Sequence, residues 1–353
     1  MATGQPSREV RGLGKSNCGV AYSPHRRDQA RNRVSRAVRR ARERSAVHGY
    51  RAAAAAISRV PARISLPIGR AVFLSGYLAW SHKRRIILGN ASHALGLPAS
   101  DRRVRHLARR IYGSYAQFVI ELMRLPHMAA DEPTRLVRSG PGGRGTESFV
   151  ALFEKLRAEG RGLIVVSAHI GSIDVLAGAF ALRGLPCYGL ADDSGYPELL
   201  EEMNAQRRRW GIEVIPWRNM RRVFKALREP AIVGLVVDWG YRATGVPVRL
   251  FGEWTTLPAG PALLAAKTGA VILPVVCRRM DDGTYEASHY DPIEVADASD
   301  AEVRRVTQVV ADAIEDMIAT APEQWYSFKP IWPDTQAEKQ HLAALAATMS
   351  ASA

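Results

Sequence analysis

Cysteine is scarce in this chain, and the three cysteines present, Cys18, Cys187 and Cys277, lie far apart with no C-x-x-C pair. This spacing argues against a zinc site and against a disulfide framework, so a reducing, cytosol-facing location fits best. The chain also has no G-x-S-x-G turn and no phosphate-binding P-loop. A serine-nucleophile hydrolase is therefore disfavoured.

Long apolar runs are missing as well. The stretch Ala71–Trp80 has about half of the ~20 apolar residues that a helix needs to cross a bilayer. It carries aromatic residues, and basic residues follow at Lys83–Arg85. This pattern favours an amphipathic segment lying in the lipid interface, although an ordinary helix packed on the core fits equally well. The N-terminal region also lacks the apolar segment of a secretory signal.

Acidic residues are too few to balance the basic ones, and the formal net charge is +15. Residues 1–50 alone hold twelve lysines and arginines against three acids. Such a charge predicts an anionic partner, either nucleic acid or an acidic membrane surface. Because residues 1–45 contain few large apolar side chains, we expect them to form a disordered basic extension. An organelle transit peptide or a misassigned start codon would give the same composition.

The rest of the chain alternates helices with short apolar strands, which predicts an α/β fold with a mostly parallel central sheet flanked by helices. The predicted strands are 162–167, 186–190, 212–216, 231–237 and 271–277, with a further β region at 285–295. The predicted helices are 102–125, 147–159, 173–183, 196–210, 219–228, 259–268 and 301–319. We interpret 131–145 as a connector and 251–261 as a long loop.

These patterns divide the chain into four parts. They are a basic extension (1–45), an N-terminal helical region that is partly membrane-interfacial (46–135), an α/β core (136–335) and a C-terminal tail (336–353). No internal repeat is visible.

His169 lies where the predicted strand 162–167 ends, and Asp174 lies in the first turn of the following helix. The carboxyl ends of parallel strands form the crevice in which α/β proteins bind ligands. A histidine can take a proton near neutral pH, and a carboxylate against its other ring nitrogen would fix its tautomer. The structural alternative is a satisfied loop histidine followed by an aspartate that the helix dipole favours.

Further charged residues occupy comparable positions. Arg207 and Arg208 belong to an arginine run at a helix end, where cations are favourable without any function. Asp238 ends the strand 231–237 and is either a ligand or base-orienting group, or only a turn former. Arg242 follows it, and Glu253 is the only acid of the loop 251–261.

Taken together, the His169-x4-Asp174 motif, the block from Arg208 to Pro216, Val-Val-Asp238 and the block from Phe251 to Pro261 resemble the lysophospholipid acyltransferase superfamily. Within it, the chain is most similar to the lipid A lauroyl/myristoyl acyltransferases and to their actinobacterial relatives that acylate phosphatidylinositol mannosides. The likeness covers about Val47 to Pro333, including the closing sequence from Ala321 to Trp332.

The resemblance implies roles for the catalytic candidates. His169 resembles the general base, Asp174 the acid of the motif, and Glu253 the loop carboxylate that pairs with the histidine. Asp238, together with Arg207 or Arg208, matches substrate-binding positions.

The sequence departs from its relatives directly after Asp238. Trp239, Gly240 and Tyr241 stand where relatives often carry charged residues, which leaves the role of Arg242 open.

The implied reaction is acyl transfer from acyl-CoA or acyl carrier protein to a hydroxyl of a membrane glycolipid, without a metal or a cofactor. We expect backbone amides near Gly171 and Ser172, or an arginine, to stabilise the oxyanion. The acceptor is either a phosphatidylinositol mannoside or a lipid A precursor, and the Ala- and Arg-rich composition leans towards the former. The expected location is the cytoplasmic face of the inner membrane, on an anionic surface.

Two other functions remain open at this stage. A thioesterase or esterase on the same fold would hydrolyse the thioester instead of transferring its acyl group. A nucleic-acid-binding protein would use the basic N-terminus, but no recognition motif supports specific binding of nucleic acid.

Overall fold

A seven-stranded sheet and a separate two-stranded hairpin make up the β structure. The strands are β1 (Val137–Ser139), β2 (Leu163–Ser167), β3 (Cys187–Ala191), β4 (Ile212–Pro216), β5 (Ile232–Val236), β6 (Val246–Leu250), β7 (Glu253–Leu257), β8 (Val271–Arg279) and β9 (Tyr285–His289). The large sheet has the order β1-β9-β8-β2-β5-β3-β4. From β8 to β4 all neighbours are parallel, and β9 runs antiparallel to β8. The strands β6 and β7 form the hairpin.

This computed structural model describes residues 43–191 and 197–351. Its helices are α1 (43–59), α2 (Ala62–Ala79), α3 (Ser81–Leu95), α4 (Arg102–Arg124), α5 (Glu132–Leu136), α6 (Thr146–Ala158), α7 (Ile173–Ala181), α8 (Pro197–Arg209), α9 (Met220–Arg228), α10 (Gly260–Thr268), α11 (Asp300–Thr320) and α12 (Gln336–Ala351). Residues from Ala46 onward form one compact unit.

The central strand β2 shows why the sheet is buried. It pairs in parallel with β5 on one side and with β8 on the other. Ile164 and Val166 belong to the core cluster that includes residues of α9, α10 and α11. Leu163 belongs to a second cluster with residues of α6 and α7. Because both faces of the strand are covered, its sequence is a continuous apolar run and does not alternate with polar residues.

The N-terminal helices form a layer of their own. Helices α2, α3 and α4 share a small core that includes Tyr77, Ile87 and Ile111. A Cβ on Gly69 would lie only 1.9 Å from the Ile120 Cδ1 atom, so the glycine allows α2 to approach α4 closely. No helix in the described part of the chain is both long enough and apolar enough to traverse a membrane.

The predicted fold class is confirmed for the α/β core, and most element ends lie within two residues of the prediction. Two segments were interpreted wrongly. The predicted connector 131–145 contains α5 and the edge strand β1, which is three residues long and pairs with β9. The predicted loop 251–261 contains β7, since Phe251 and Gly252 both adopt positive φ and turn the chain back onto β6.

The four-part division of the chain stays a prediction. All but the last three residues of the predicted basic extension lie outside the described residues, and the predicted C-terminal tail contains α12.

A largely buried ion pair ties helix α4 to the sheet. The Arg279 guanidinium donates two hydrogen bonds to Glu121, of 2.8 and 2.6 Å, and the Tyr285 hydroxyl donates a third of 2.7 Å. Burial disfavours the charge on Arg279, but the nearby Glu121 outweighs it and raises the pKa of the guanidinium. The side chain of Arg279 is only 5% exposed. Removing either side chain would therefore leave the other one charged and without a counterion.

We predict that Arg279→Leu lowers the free energy of unfolding by about 3 kcal/mol, because it leaves the largely buried Glu121 carboxylate without its cation. The double variant Glu121→Leu/Arg279→Leu should recover most of this loss. Urea unfolding followed by circular dichroism measures both effects. The control is Arg138→Leu, which breaks the exposed pair with Asp282 and should leave stability near that of the wild type. A single variant as stable as the double one would contradict the prediction.

Candidate active site

His169 and Asp238 leave neighbouring strands at the same edge of the sheet. In the β2–β5 pairing, Ser167 stands opposite Val236. His169 lies two residues after Ser167, and Asp238 lies two residues after Val236. The Val237 amide donates to the Ser167 carbonyl (3.0 Å), which continues the pairing beyond the last residues of the strands. The register of β2 and β5 thus places the two side chains next to each other.

The Asp238 carboxylate is fully engaged and buried. Its Oδ1 lies 2.7 Å from His169 Nδ1 and accepts a hydrogen bond from the backbone amide of His169 (3.0 Å). Its Oδ2 accepts a hydrogen bond from the indole Nε1 of Trp325 (2.8 Å). The Asp238 side chain is 1% exposed, whereas that of His169 is 40% exposed. A buried carboxylate with this set of donors stays ionised.

The imidazole is held in one tautomer by this pairing. An ionised carboxylate only accepts hydrogen bonds, so Nδ1 carries the proton and Nε2 of the neutral ring keeps its lone pair. Burial disfavours protonation of His169, but the charge and the hydrogen bond of Asp238 outweigh burial and raise the pKa of the imidazole. Burial likewise disfavours the ionised form of Asp238, yet His169 and Trp325 keep the pKa of the carboxyl low.

The backbone around His169 is fixed by two other parts of the chain. The Tyr326 amide donates to the His169 carbonyl (2.7 Å), and the Gly171 amide donates to the Gln324 carbonyl (3.3 Å). The Ser172 amide donates to the Cys277 carbonyl (3.2 Å). Gly171 has φ +59°, and a Cβ there would lie 1.7 Å from the Cys277 carbonyl oxygen. This turn therefore requires glycine.

The amides of Gly171 and Ser172 are already used in these backbone hydrogen bonds, so they cannot act as the expected oxyanion donors, and the alternative donor, an arginine, stays a prediction. Ser172 does precede α7, but its side chain makes no capping hydrogen bond.

Asp174 does not contact the imidazole, contrary to expectation. Its two carboxylate oxygens accept hydrogen bonds of 2.7 and 3.2 Å from the Arg207 guanidinium, which also donates to Asn204 Oδ1 (2.9 Å). Attraction to Asp174 raises the pKa of Arg207. Asp238 occupies Nδ1 of the imidazole, and Asp174 joins α7 to the last turn of α8.

Glu253 does not pair with His169 either. It opens β7 with an exposed side chain, and no hydrogen bond joins it to His169 in the described part of the chain. Its charge acts on His93, which stacks on Trp332 at 4.0 Å between ring centroids. The β6–β7 hairpin, which the sequence did not reveal, carries Glu253 to this position.

The two remaining predicted residues, Arg208 and Arg242, make other contacts. The Arg208 guanidinium donates to Glu201 on the surface of α8 (2.7 Å). Arg242 has an exposed side chain, and its backbone amide and carbonyl both bond to the Thr256 hydroxyl, at 3.0 and 2.8 Å. Arg242 thus fixes the hairpin by its main chain.

Three residues near His169 were missed in the sequence. Trp325 lies in the closing segment, Trp239 follows Asp238, and the Lys329 ammonium lies 4.1 Å from the centroid of the Trp239 ring. The Trp239 ring stands edge to face with His169 at 5.6 Å. The charge of Lys329 opposes protonation of His169. The signals in the sequence were the likeness of the closing segment to the family's ending, which contains Trp325 and Lys329, and the departure from the relatives at Trp239.

Within the described ranges, no group of three histidine, cysteine, aspartate or glutamate side chains could hold a metal ion. The site offers instead one imidazole whose Nε2 makes no hydrogen bond to any described residue, and the buried Asp238 carboxylate at its Nδ1. This arrangement can remove a proton from a hydroxyl and return it to a leaving group.

We predict that Asp238→Asn lowers the pKa of His169 from above the ordinary value of ~6.5 to below it, because burial then acts without an opposing charge. Titration of the imidazole by NMR measures the shift, and the spectrum of His169→Ala identifies the signal. Asp174→Asn is the matched control, since it removes a carboxylate that pairs with Arg207 and should leave the pKa of His169 unchanged. An equal fall in both variants would contradict this assignment of partners.

Comparison with known proteins agrees with the geometry. The model of the family described as "Bacterial lipid A biosynthesis acyltransferase" matches residues 40–333. The chain is 30% identical over 252 residues to a phosphatidylinositol mannoside acyltransferase of Mycolicibacterium smegmatis, which covers 69% of this chain and 77% of that protein. It is 28% identical over 225 residues to the protein of the same name from Mycobacterium tuberculosis, covering 62% and 68%. The predicted resemblance is confirmed: the chain belongs to the bacterial lipid A biosynthesis acyltransferase family and is an acyltransferase.

Proposed function

We propose that this enzyme transfers a fatty acyl chain from a thioester donor to a hydroxyl of a membrane glycolipid, with His169 as the general base. The observation that carries the proposal is the hydrogen bond of 2.7 Å between His169 Nδ1 and the buried Asp238. No residue that the structure describes bonds to Nε2 of this partly exposed imidazole, so Nε2 can meet a hydroxyl. Asp238, rather than Asp174 or Glu253, orients the base.

His169 Nε2 takes the proton of the acceptor hydroxyl while its oxygen attacks the thioester carbonyl carbon. The tetrahedral intermediate collapses, the carbon–sulfur bond breaks, and the imidazolium gives the proton to the departing thiolate. The products are an ester and a free thiol, and His169 is again neutral. Asp238 stabilises the imidazolium between the two proton transfers.

The identity of the acceptor rests on the relatives. The curated proteins that the chain resembles are named for phosphatidylinositol mannosides, while the family is named for lipid A. We favour a phosphatidylinositol mannoside, since two thirds or more of each of these relatives aligns with this chain. The donor is acyl-CoA or acyl carrier protein, and no cofactor is required.

Incubation of purified enzyme with radiolabelled acyl-CoA, with and without phosphatidylinositol mannosides, tests the transfer. We expect label in the lipid only when acceptor is present. Release of free fatty acid at the same rate in both mixtures would instead indicate the thioesterase alternative. Parallel mixtures with acyl carrier protein as donor, or with a lipid A precursor as acceptor, separate the remaining choices.

We predict that His169→Ala lowers the rate of transfer by about 10²–10⁴-fold, the usual contribution of a general base. The same assay measures the loss, and circular dichroism checks that the variant is folded. The control is His127→Ala, which changes an exposed histidine and should leave the rate unchanged. Full activity in a folded His169→Ala protein would remove the mechanism.

We also propose that helix α2 lies in the membrane interface, at the cytoplasmic face of the plasma membrane. Large apolar side chains are exposed along one stripe of this helix, at Ile64, Ile68 and Val72, and Trp80 follows its end. Ile68 and Val72 are 59% and 61% exposed. Such a row is unusual on a surface that faces only water.

The surroundings of α2 support this proposal. An apolar cleft of about 340 Å³ lies between α1, α2 and α4, and its lining includes Ile68, Val72 and Met123. Arg59 and Arg85, on α1 and α3, are exposed. An apolar helix face flanked by cations suits an anionic lipid surface.

We predict that Ile68→Asn/Val72→Asn weakens binding to vesicles that contain phosphatidylinositol at least about tenfold, because each apolar side chain contributes about 1.5–3 kcal/mol when it is buried. Co-sedimentation with vesicles measures the affinity. Val309→Asn, which changes an exposed valine on α11, is the matched control and should bind as the wild type does. If the double variant also binds like the wild type, α2 is not the contact surface.

A further inference from the structure

The segment Gln324–Tyr326 runs beside the turn that carries His169. Ile170 and Trp325 form an isolated antiparallel bridge, and the backbone hydrogen bonds from Tyr326 to His169 and from Gly171 to Gln324 flank it. The closing part of the chain is thereby held against the catalytic histidine along three consecutive residues.

Gln324 fixes the same segment to strand β8. Its side-chain Oε1 accepts a hydrogen bond from the Arg279 amide (2.8 Å), and its Nε2 donates to the Arg279 carbonyl (2.8 Å). Arg279 is in turn held by Glu121. Hydrogen bonds to the backbone of the His169 turn and of β8 therefore fix the position of Trp325, in addition to side-chain packing.

Trp325 directs its indole at the one oxygen of Asp238 that His169 leaves uncovered. The Nε1–Oδ2 distance is 2.8 Å, and the tryptophan is 1% exposed. Without this donor, Oδ2 would be a buried carboxylate oxygen without a partner. Such a group gains free energy by taking up a proton or by turning towards water, and either change weakens its hold on the imidazole.

We propose that Trp325 is a positioning residue, whose indole N–H keeps Asp238 ionised and aligned with His169 Nδ1. The catalytic consequence rests on the proposed function, while the effect on His169 does not. The competing explanation is that Trp325 only fills volume, since it also belongs to the large core cluster that includes Ile164 and Trp332.

Trp332 provides a matched control within the same core. Its ring lies 6.4 Å from that of Trp325, and the residue is 6% exposed. Unlike the indole of Trp325, its Nε1 is buried with no hydrogen-bond partner among the described residues. Replacing Trp332 by phenylalanine thus removes similar volume without removing a hydrogen bond to Asp238.

The first experiment titrates His169 by NMR in the full-length protein. In Trp325→Phe we expect the pKa of His169 to fall below its wild-type value, because the carboxylate that raises it is less ionised or displaced. In Trp332→Phe the pKa should stay at the wild-type value. An unchanged or higher pKa in Trp325→Phe would overturn the proposal, whether or not the enzyme accepts the proposed substrates.

The second experiment compares Trp325→Phe with Trp325→His in the transfer assay with acyl-CoA and phosphatidylinositol mannosides. Phenylalanine keeps more of the volume, whereas histidine keeps a five-membered ring with an N–H in the corresponding place. A hydrogen bond to a charged group predicts that kcat falls about 10- to 100-fold in Trp325→Phe, with KM within about twofold of the wild type.

The two variants rank differently under the two explanations. If the N–H positions Asp238, Trp325→His keeps a higher kcat than Trp325→Phe although it is less stable to heat. If Trp325 only fills space, Trp325→Phe keeps the higher kcat, and the proposal fails. Failure of the proposed function would appear separately, as a wild-type enzyme that transfers no acyl group to either glycolipid.

Discussion

The structure around the site depends on one buried negative charge. Asp238 lies inside the α/β core with almost no exposure, where an uncompensated carboxylate would cost several kcal/mol. Three N–H groups compensate it: the ring and the backbone of His169, and the indole of Trp325. The donors belong to the turn after β2 and to the closing segment, while Asp238 follows β5. The carboxylate therefore stays ionised in the core only when all three segments are folded against one another.

The same constraint explains why Asp238, Asp174 and Glu253 have different partners. A histidine has one ring nitrogen to give to a carboxylate if the other is to take a proton, and Asp238 occupies it. Asp174, although it is only five positions after the histidine, pairs with Arg207 and joins two helices. Glu253 lies on the hairpin beside His93. One carboxylate therefore holds the imidazole, another joins two helices, and the third makes no hydrogen bond to the His169–Asp238 pair in the described part of the chain.

Paired charged side chains and exposed apolar side chains occur in different parts of the structure. The core around β2 pairs each buried charged side chain with a partner, as in Asp238 with His169 and in Arg279 with Glu121. Helix α2 exposes an apolar row instead. Helix α4 takes part in both, since Glu121 reaches the sheet while Ile120 and Met123 line the apolar cleft. An enzyme that carries acyl chains between a polar donor and a lipid needs both kinds of surface.

The sequence by itself determined the alternation of helices and strands, the position of His169 and Asp238 at strand ends, and the family. These properties depend on local periodicity and on blocks of residues that are contiguous in the chain. The sequence did not determine which acid meets His169, because Asp238 is 69 residues away and becomes its neighbour only through the order and register of β2 and β5. The hairpin that carries Glu253 and the contact of Trp325 with Asp238 were likewise decided by the tertiary structure. Long-range pairing brings these groups together, and no local pattern encodes it.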